Sequence, residues 1–297
     1  MVRCIGLLFL ATLLCGAQDL LEQSRTYASK RDFPHAISAA QEFLKTNPDS
    51  VLGRLTLANA YFMAQRFADA KELAMAVLKE QPSNVPALEI KGNTEYLLGD
   101  VTRAINTFID LLEYHPQNQE APYMLGRIYY QEGRIDQAVG VFQRVLQLNP
   151  QAYKAYDNLG LCFQAKGDNE TAIRYFLTAI KLVDTQHPDY DVVYANLADV
   201  LLNTDDAQKA FDAAAKAAER NPSSARNFYL GGKALERLGK LDLSLNWLQR
   251  SAALDPNYPE PQYLLAHIYR GLGQREKADE AQKKFLEAKA KSSKVQK

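Results

Sequence analysis

Apolar side chains recur at spacings of three and four along almost the whole chain. Leu125 and Tyr129, Leu159 and Phe163, Leu197 and Leu201, and Leu265 and Tyr269 each stand four residues apart. That is the period of a helix burying one face. The apolar stretches are broken at regular places by a glycine and a polar residue: Gly99-Asp100, Gly133-Arg134, Gly167-Asp168, Gly239-Lys240 and Gly273-Gln274. Glycine enters the left-handed conformation that ends a helix without steric cost. Other breaks carry proline, which cannot continue a helix. The pattern predicts pairs of helices, parted by glycine within a pair and by proline between pairs. No strand-rich stretch is left over for a second domain.

The prolines set the period. Pro48, Pro82, Pro116 and Pro150 are 34 residues apart, as are Pro188, Pro222 and Pro256. From Pro150 to Pro188 the gap is 38, an insertion of four at or near Gln186-His187-Pro188-Asp189 that should lengthen one junction. With proline at position 32, the repeats run 17–50, 51–84, 85–118, 119–152, 153–186, 191–224, 225–258 and 259–292. Position 8 then reads Ser24, Ala58, Gly92, Gly126, Gly160, Ala198, Gly232 and Ala266. Position 20 reads Ala36, Ala70, Ala104, Ala138, Ala172, Ala210, Ser244 and Ala278. Every residue in both columns is small, which lets two helices cross closely. Bulky residues fill a neighbouring column, with Phe108, Phe142, Phe176 and Leu248 at position 24. The ends depart from the pattern, with Gln23 at position 7 of the first repeat and Gln282 at position 24 of the last. Terminal repeats face water on one side and need such polar substitutions. A polar tail, residues 293–297, closes the chain.

These columns resemble the tetratricopeptide-repeat (TPR) family. The 34-residue unit, the Leu125-Gly126-Arg127-Ile128-Tyr129 pattern, the central alanine and the closing proline are all present, over residues 17–292. The resemblance implies an all-α fold, a right-handed superhelical solenoid of antiparallel helix pairs, and a role in binding proteins. In relatives the first helix of each repeat lines a concave groove that holds a partner peptide. Carried over by position, the groove candidates are Asn59, Asn93, Tyr96, Tyr123, Arg127, Tyr130, Asn158, Asn196, Asp199, Tyr229 and Lys233. Tyrosine and arginine are enriched at interface hot spots. Asn158 and Asn196 hold position 6 of consecutive repeats. A side-chain amide both donates and accepts, so such a pair, facing solvent in the free protein, could hold a peptide backbone whatever its sequence. The clamp that relatives use on chaperone tails is not matched. Its best register here is Glu89, Asn93, Met124, Lys154 and Asn158, where Glu89 has the wrong sign to hold a terminal carboxylate.

Composition and the first residues add a compartment. Lys plus Arg equals Asp plus Glu, at 35 each, so the chain lacks the basic excess that nucleic acid or an anionic membrane selects. Arg3, the apolar run 5–14 and the small residues of Cys15-Gly16-Ala17 read as a signal peptide, residues 1–17, cut before Gln18. The apolar run is shorter than the roughly 20 residues of a spanning helix, so the expectation is export, periplasmic or secreted, with an uncleaved anchor as the alternative. Lipidation of Cys15 is disfavoured by Leu14, since a small residue normally precedes such a cysteine. Cys162 is then the one cysteine of the mature chain, and it reads as a small core residue.

Catalytic chemistry finds no footing in the sequence. His35, His115, His187 and His267 are scattered, without metal-ligand spacing, and no glycine-rich phosphate loop occurs. Asn169-Glu170-Thr171 matches a glycosylation sequon, but Asp168 or Asn169 more simply caps a helix there. The reading is a non-catalytic scaffold or adaptor without metal or cofactor, binding a protein or peptide partner in an extracytoplasmic assembly or secretion complex. Self-assembly of the solenoid into homo-oligomers is the alternative, ahead of an accessory to an envelope enzyme.

Overall fold

The structure is a computed structural model that describes residues 19–295. The signal-peptide segment, the proposed cut before Gln18 and residues 296–297 lie outside the described residues. Among the described residues every regular element is a helix. The first, α1, spans 19–29. It is followed by α2 (Phe33–Thr46), α3 (Val51–Met63), α4 (Phe67–Glu80), α5 (Val85–Leu97), α6 (Val101–Tyr114) and α7 (Glu120–Gln131). Then come α8 (Ile135–Leu148), α9 (Tyr153–Ala165), α10 (Asn169–Gln186), α11 (Val192–Asn203) and α12 (Ala207–Arg220). The last are α13 (Ala225–Arg237), α14 (Leu241–Leu254), α15 (Pro259–Gly271) and α16 (Arg275–Val295). They form two compact units that part between Gly133 and Arg134. The N-terminal unit holds α1 to α7 and the C-terminal unit α8 to α16. From α2 to α7 and from α8 to α16 each helix packs on the next, α1 bonds to α2 through Ser24, and first helices of successive repeats also touch, as α3 does α5 and α11 does α13.

The turn inside each repeat is fixed by one left-handed residue. It is glycine at Gly99, Gly133, Gly167, Gly239 and Gly273, and a non-glycine at Arg31, Gln65 and Asp205. The following amide then reaches back to close the helix end, as Asp100 donates to the Glu95 carbonyl at 2.8 Å and Asp168 to that of Phe163 at 2.9 Å. Three second helices start on an aspartate cap: Asp32 accepts from the His35 amide, Asp168 from that of Thr171 and Asp206 from that of Lys209.

Small columns sit where helices cross. Position 20 is at most 1% exposed in every repeat, Ser244 and Ala278 included. The backbones come close enough that a serine on either helix bonds across. Ser24, at position 8, donates to the Ala36 carbonyl, and Ser244, at position 20, donates to the Gly232 carbonyl, both at 2.7 Å. At three of the glycines of position 8 the space is taken by the bulky residue at position 24: Phe108 over Gly92, Phe176 over Gly160 and Leu248 over Gly232.

The four-residue insertion does not lengthen a connector. It extends α10 to 18 residues, against 14 for α12 and α14, which is about one extra turn. Four residues are just over one turn of about 3.6 residues, so the helix end is shifted mainly along its axis. Tyr153 packs on His187 and Tyr190 just beyond that turn, and the Arg220 guanidinium binds the Asp184 carboxylate at 2.6 Å. The expected polar tail is helical at least to Val295, as part of α16.

Candidate functional site

In the N-terminal unit, α3 and α5 lie side by side and leave a pocket of about 270 Å³ between them. Its wall is Leu55, Asn59 and Phe62 from α3, and Pro86, Glu89, Ile90 and Asn93 from α5. Spacings of three and four within each helix put these side chains on one face. Two groove candidates, Asn59 and Asn93, thus meet in one place. Phe62 is held edge-on by Phe67, with ring centroids 5.7 Å apart. Glu89 is half-buried; among the described residues its hydrogen bond is a long one, from the Asn118 amide at 3.4 Å. Burial pushes its carboxyl above the usual range, the Asn118 bond works against this, and the nearby Glu120 charge adds to it. The arrangement offers apolar surface, two amides and a carboxylate to a ligand in the same small space.

Further along the same unit, α7 presents Tyr123, Arg127 and Tyr130. The Arg127 guanidinium is exposed and lies 5.9 Å from the Tyr123 ring centre, a cation–π distance. Tyr96, on α5, is half-buried.

The C-terminal unit treats its candidates differently. Asn196 is not an open amide: it is 3% exposed. Its Nδ2 donates to Asp157 at 2.9 Å, and its Oδ1 accepts from Arg226 at 3.0 Å. Asp157, itself 2% exposed, also accepts from the Tyr190 hydroxyl at 2.8 Å. Asn158 points its amide at the Lys154 carbonyl of its own helix, 2.7 Å away. The expected pair of solvent-facing asparagines is therefore not formed, because a buried carboxylate from the preceding repeat claims Asn196. Asp199 accepts from Gln164 at 3.0 Å, and Tyr229 packs edge-on against Tyr258 with Lys233 beside it. Burial pushes the hydroxyls of both tyrosines up.

Sequence profiles of the tetratricopeptide repeat match residues 27–90, 96–160, 151–223, 194–259 and 259–292. The chain belongs to the tetratricopeptide-repeat family. Solved structures agree on the fold. A tetratricopeptide repeat protein from Parabacteroides merdae is 19% identical, with a TM-score of 0.64, over 85% of this chain and 98% of that one. The APC/C hetero-tetramer Cut9–Hcn1 is 18% identical, TM-score 0.67, over 86% of this chain and 55% of that one. Pseudomonas aeruginosa pilF is 19% identical, TM-score 0.62, over 73% and 97%. At these identities the likeness is one of fold. No curated protein matches by sequence.

The TPR fold is consistent with a protein-binding scaffold. Among the described residues no group of three or more His, Cys, Asp and Glu side chains could hold a metal ion, and no helix is long and apolar enough to cross a membrane. Cys162 is fully buried, and burial pushes its thiol up to about 12.

One feature of this TPR chain lies outside the columns of small residues. Position 23 carries Tyr175 and Trp247 in the fifth and seventh repeats, and both rings are partly buried against other rings. Tyr175 stacks on Phe163 at 5.3 Å, and Trp247 meets Phe211 and Phe228 at 5.3 Å each. The sixth repeat has Ala213 there. A cavity of about 650 Å³ opens beside it, floored by Tyr194, Leu197 and Leu201 of α11 and walled by Ile173, Leu177 and Ile180 of α10. Position 23 also holds Ala39 and Ala281, so the column carried no signal of its own; the only hint was that Ala213 falls between two repeats with large rings there.

Proposed function

We propose that this chain is an exported, non-catalytic TPR scaffold that holds partner peptide segments against the first-helix face of its repeats. The pocket between α3 and α5 is the main seat, and the setting is an extracytoplasmic assembly or secretion complex. One observation carries the groove reading: Asn59 and Asn93, chosen by repeat position alone, line the same pocket with Leu55, Phe62 and Ile90. Apolar walls with a few convergent polar groups are the usual make-up of a ligand site. The amides supply hydrogen bonds to a peptide backbone and the apolar residues supply burial. Export rests on residues 1–17.

Selection of displayed 12-residue peptides on the full mature chain tests the reading. The double variant Asn59→Ala, Asn93→Ala should bind the selected peptides at least about tenfold more weakly, since each lost hydrogen bond to a desolvated group is worth about 1–3 kcal/mol. Its melting temperature should stay within the scatter of surface changes. Unchanged affinity would place peptide binding elsewhere.

A further inference from the structure

Two repeats carry a carboxylate at position 5, and their surroundings differ. In the C-terminal unit Asp157 is supplied from within: Tyr190 and Asn196 donate to it, and the Arg226 guanidinium stands behind Asn196. In the N-terminal unit the residue is Glu89. Its position-6 neighbour in the next repeat is Met124, which has no amide to donate. Among the described residues Glu89 forms no ion pair; its partner is the neutral Asn118 at 3.4 Å, and the neighbouring charge that acts on it is another carboxylate, Glu120. A half-buried carboxylate without a cation is a cost to the free protein that a cationic ligand would relieve. The aliphatic and aromatic wall of Leu55, Phe62 and Ile90 lies in the same pocket.

We propose that the α3–α5 pocket selects a peptide segment bearing a Lys or Arg side chain next to an aliphatic residue. The cation docks on Glu89 and the aliphatic group on Phe62 and Ile90. The inference rests on the groove reading above and adds its charge preference. Arg226 shows what the C-terminal unit provides from its own chain; the N-terminal unit takes the equivalent from its partner. A terminal carboxylate, the ligand of the chaperone-tail clamp, is repelled by Glu89.

The test uses the same displayed library on the full mature chain, with three proteins: wild type, Glu89→Gln and Glu89→Lys. Sequences selected by wild type should be enriched in a Lys or Arg beside Leu, Ile or Val. A synthetic peptide from that pool should bind Glu89→Gln about tenfold more weakly, the scale of one charge-assisted hydrogen bond. Its norleucine analogue, with the ammonium removed, should bind wild type and Glu89→Gln equally. Glu89→Lys should select Asp or Glu at the same place. Peptides that depend on Asn59 and Asn93 but show no charge preference would overturn this inference and leave the groove reading standing. Peptides indifferent to Asn59, Asn93 and Glu89 alike would overturn both. Circular dichroism of the three proteins separates a local charge effect from misfolding, and a Glu89→Lys protein that folds yet keeps the basic preference also refutes the proposal.

Discussion

A β-carbon built on Gly160 would lie 2.4 Å from Cε1 of Phe176. Real side chains do not approach so closely, and Phe176 is fully buried with nowhere to retreat. The next repeat fills the same two positions with Ala198 and Ala214, both fully buried. Glycine with phenylalanine and alanine with alanine are thus two ways of filling one crossing. Gly160→Ala alone should cost about 1–3 kcal/mol by overpacking, and Phe176→Ala alone about 3–5 kcal/mol by leaving a cavity. In the double variant the new methyl has no ring to strike, so its cost should fall clearly below the sum. Urea denaturation of the four proteins measures the coupling, and strict additivity would show that the two residues do not share the space.

Left-handed turn residues give a second prediction. Gln65 sits at φ 60°, where the other repeats use glycine or, at Arg31 and Asp205, tolerate a side chain. An L-residue pays roughly 1–2 kcal/mol there, partly offset because glycine is freer in the unfolded chain. Gln65→Gly should therefore stabilise the protein by up to about 1 kcal/mol. Gly99→Ala, at φ 84° with open space around it, should lose about that much through backbone strain alone. Melting temperatures that move the same way for both would contradict this account.

The fold was legible because its signals act through the backbone. Proline ends α10 and α12, glycine turns the chain at Gly99 and Gly167, and alanine at position 20 admits a neighbouring helix whatever else surrounds it. The site was less legible because its state is set by pairs far apart in sequence. Asn196 looked like an open amide in its own column; only Asp157, 39 residues earlier, and Arg226, 30 later, bury it. Glu95 is a similar case. It stands in a column of aromatic and aliphatic residues, yet it is 2% exposed and accepts from Thr107 at 2.7 Å, with Lys71 3.6 Å away on α4. The insertion was found from spacing, but spacing does not distinguish a loop from a helical turn. That depended on Tyr153, His187 and Asp184 finding partners beyond the extra turn.

Export makes a prediction at the chain's start. Mass spectrometry of the protein recovered from outside the cytoplasm should find Gln18 as the first residue, with Cys4 and Cys15 both absent. A chain that retains residues 1–17 would favour the anchored alternative, and a lipid-sized mass on Cys15 would replace cleavage before Gln18 by lipoprotein processing.

The last prediction concerns Asp157. Burial pushes its carboxyl above the usual carboxylate range, while hydrogen bonds from Asn196 and Tyr190 and the charge of Arg226 pull it part of the way back. A raised folded-state value means that the native protein holds this proton more tightly than the unfolded chain does. The stability it contributes is complete below the unfolded value of about 3.9 and is lost as pH rises through the folded value. Asp157→Asn removes that titration; its one oxygen can accept from Asn196 while its new amide faces the Tyr190 hydroxyl, which can turn to accept. Relative to this variant, wild type should lose stability as pH climbs from about 4 to 7. Asn196→Ala should steepen the loss by removing one of the donors that hold the charged form. Asn158→Ala should leave the pH profile unchanged, since its amide donates to the Lys154 carbonyl and not to Asp157. Urea midpoints at the two pH values, for all four proteins, decide the matter. A gap between wild type and Asp157→Asn that does not change with pH would mean that water, not the protein interior, surrounds this carboxylate.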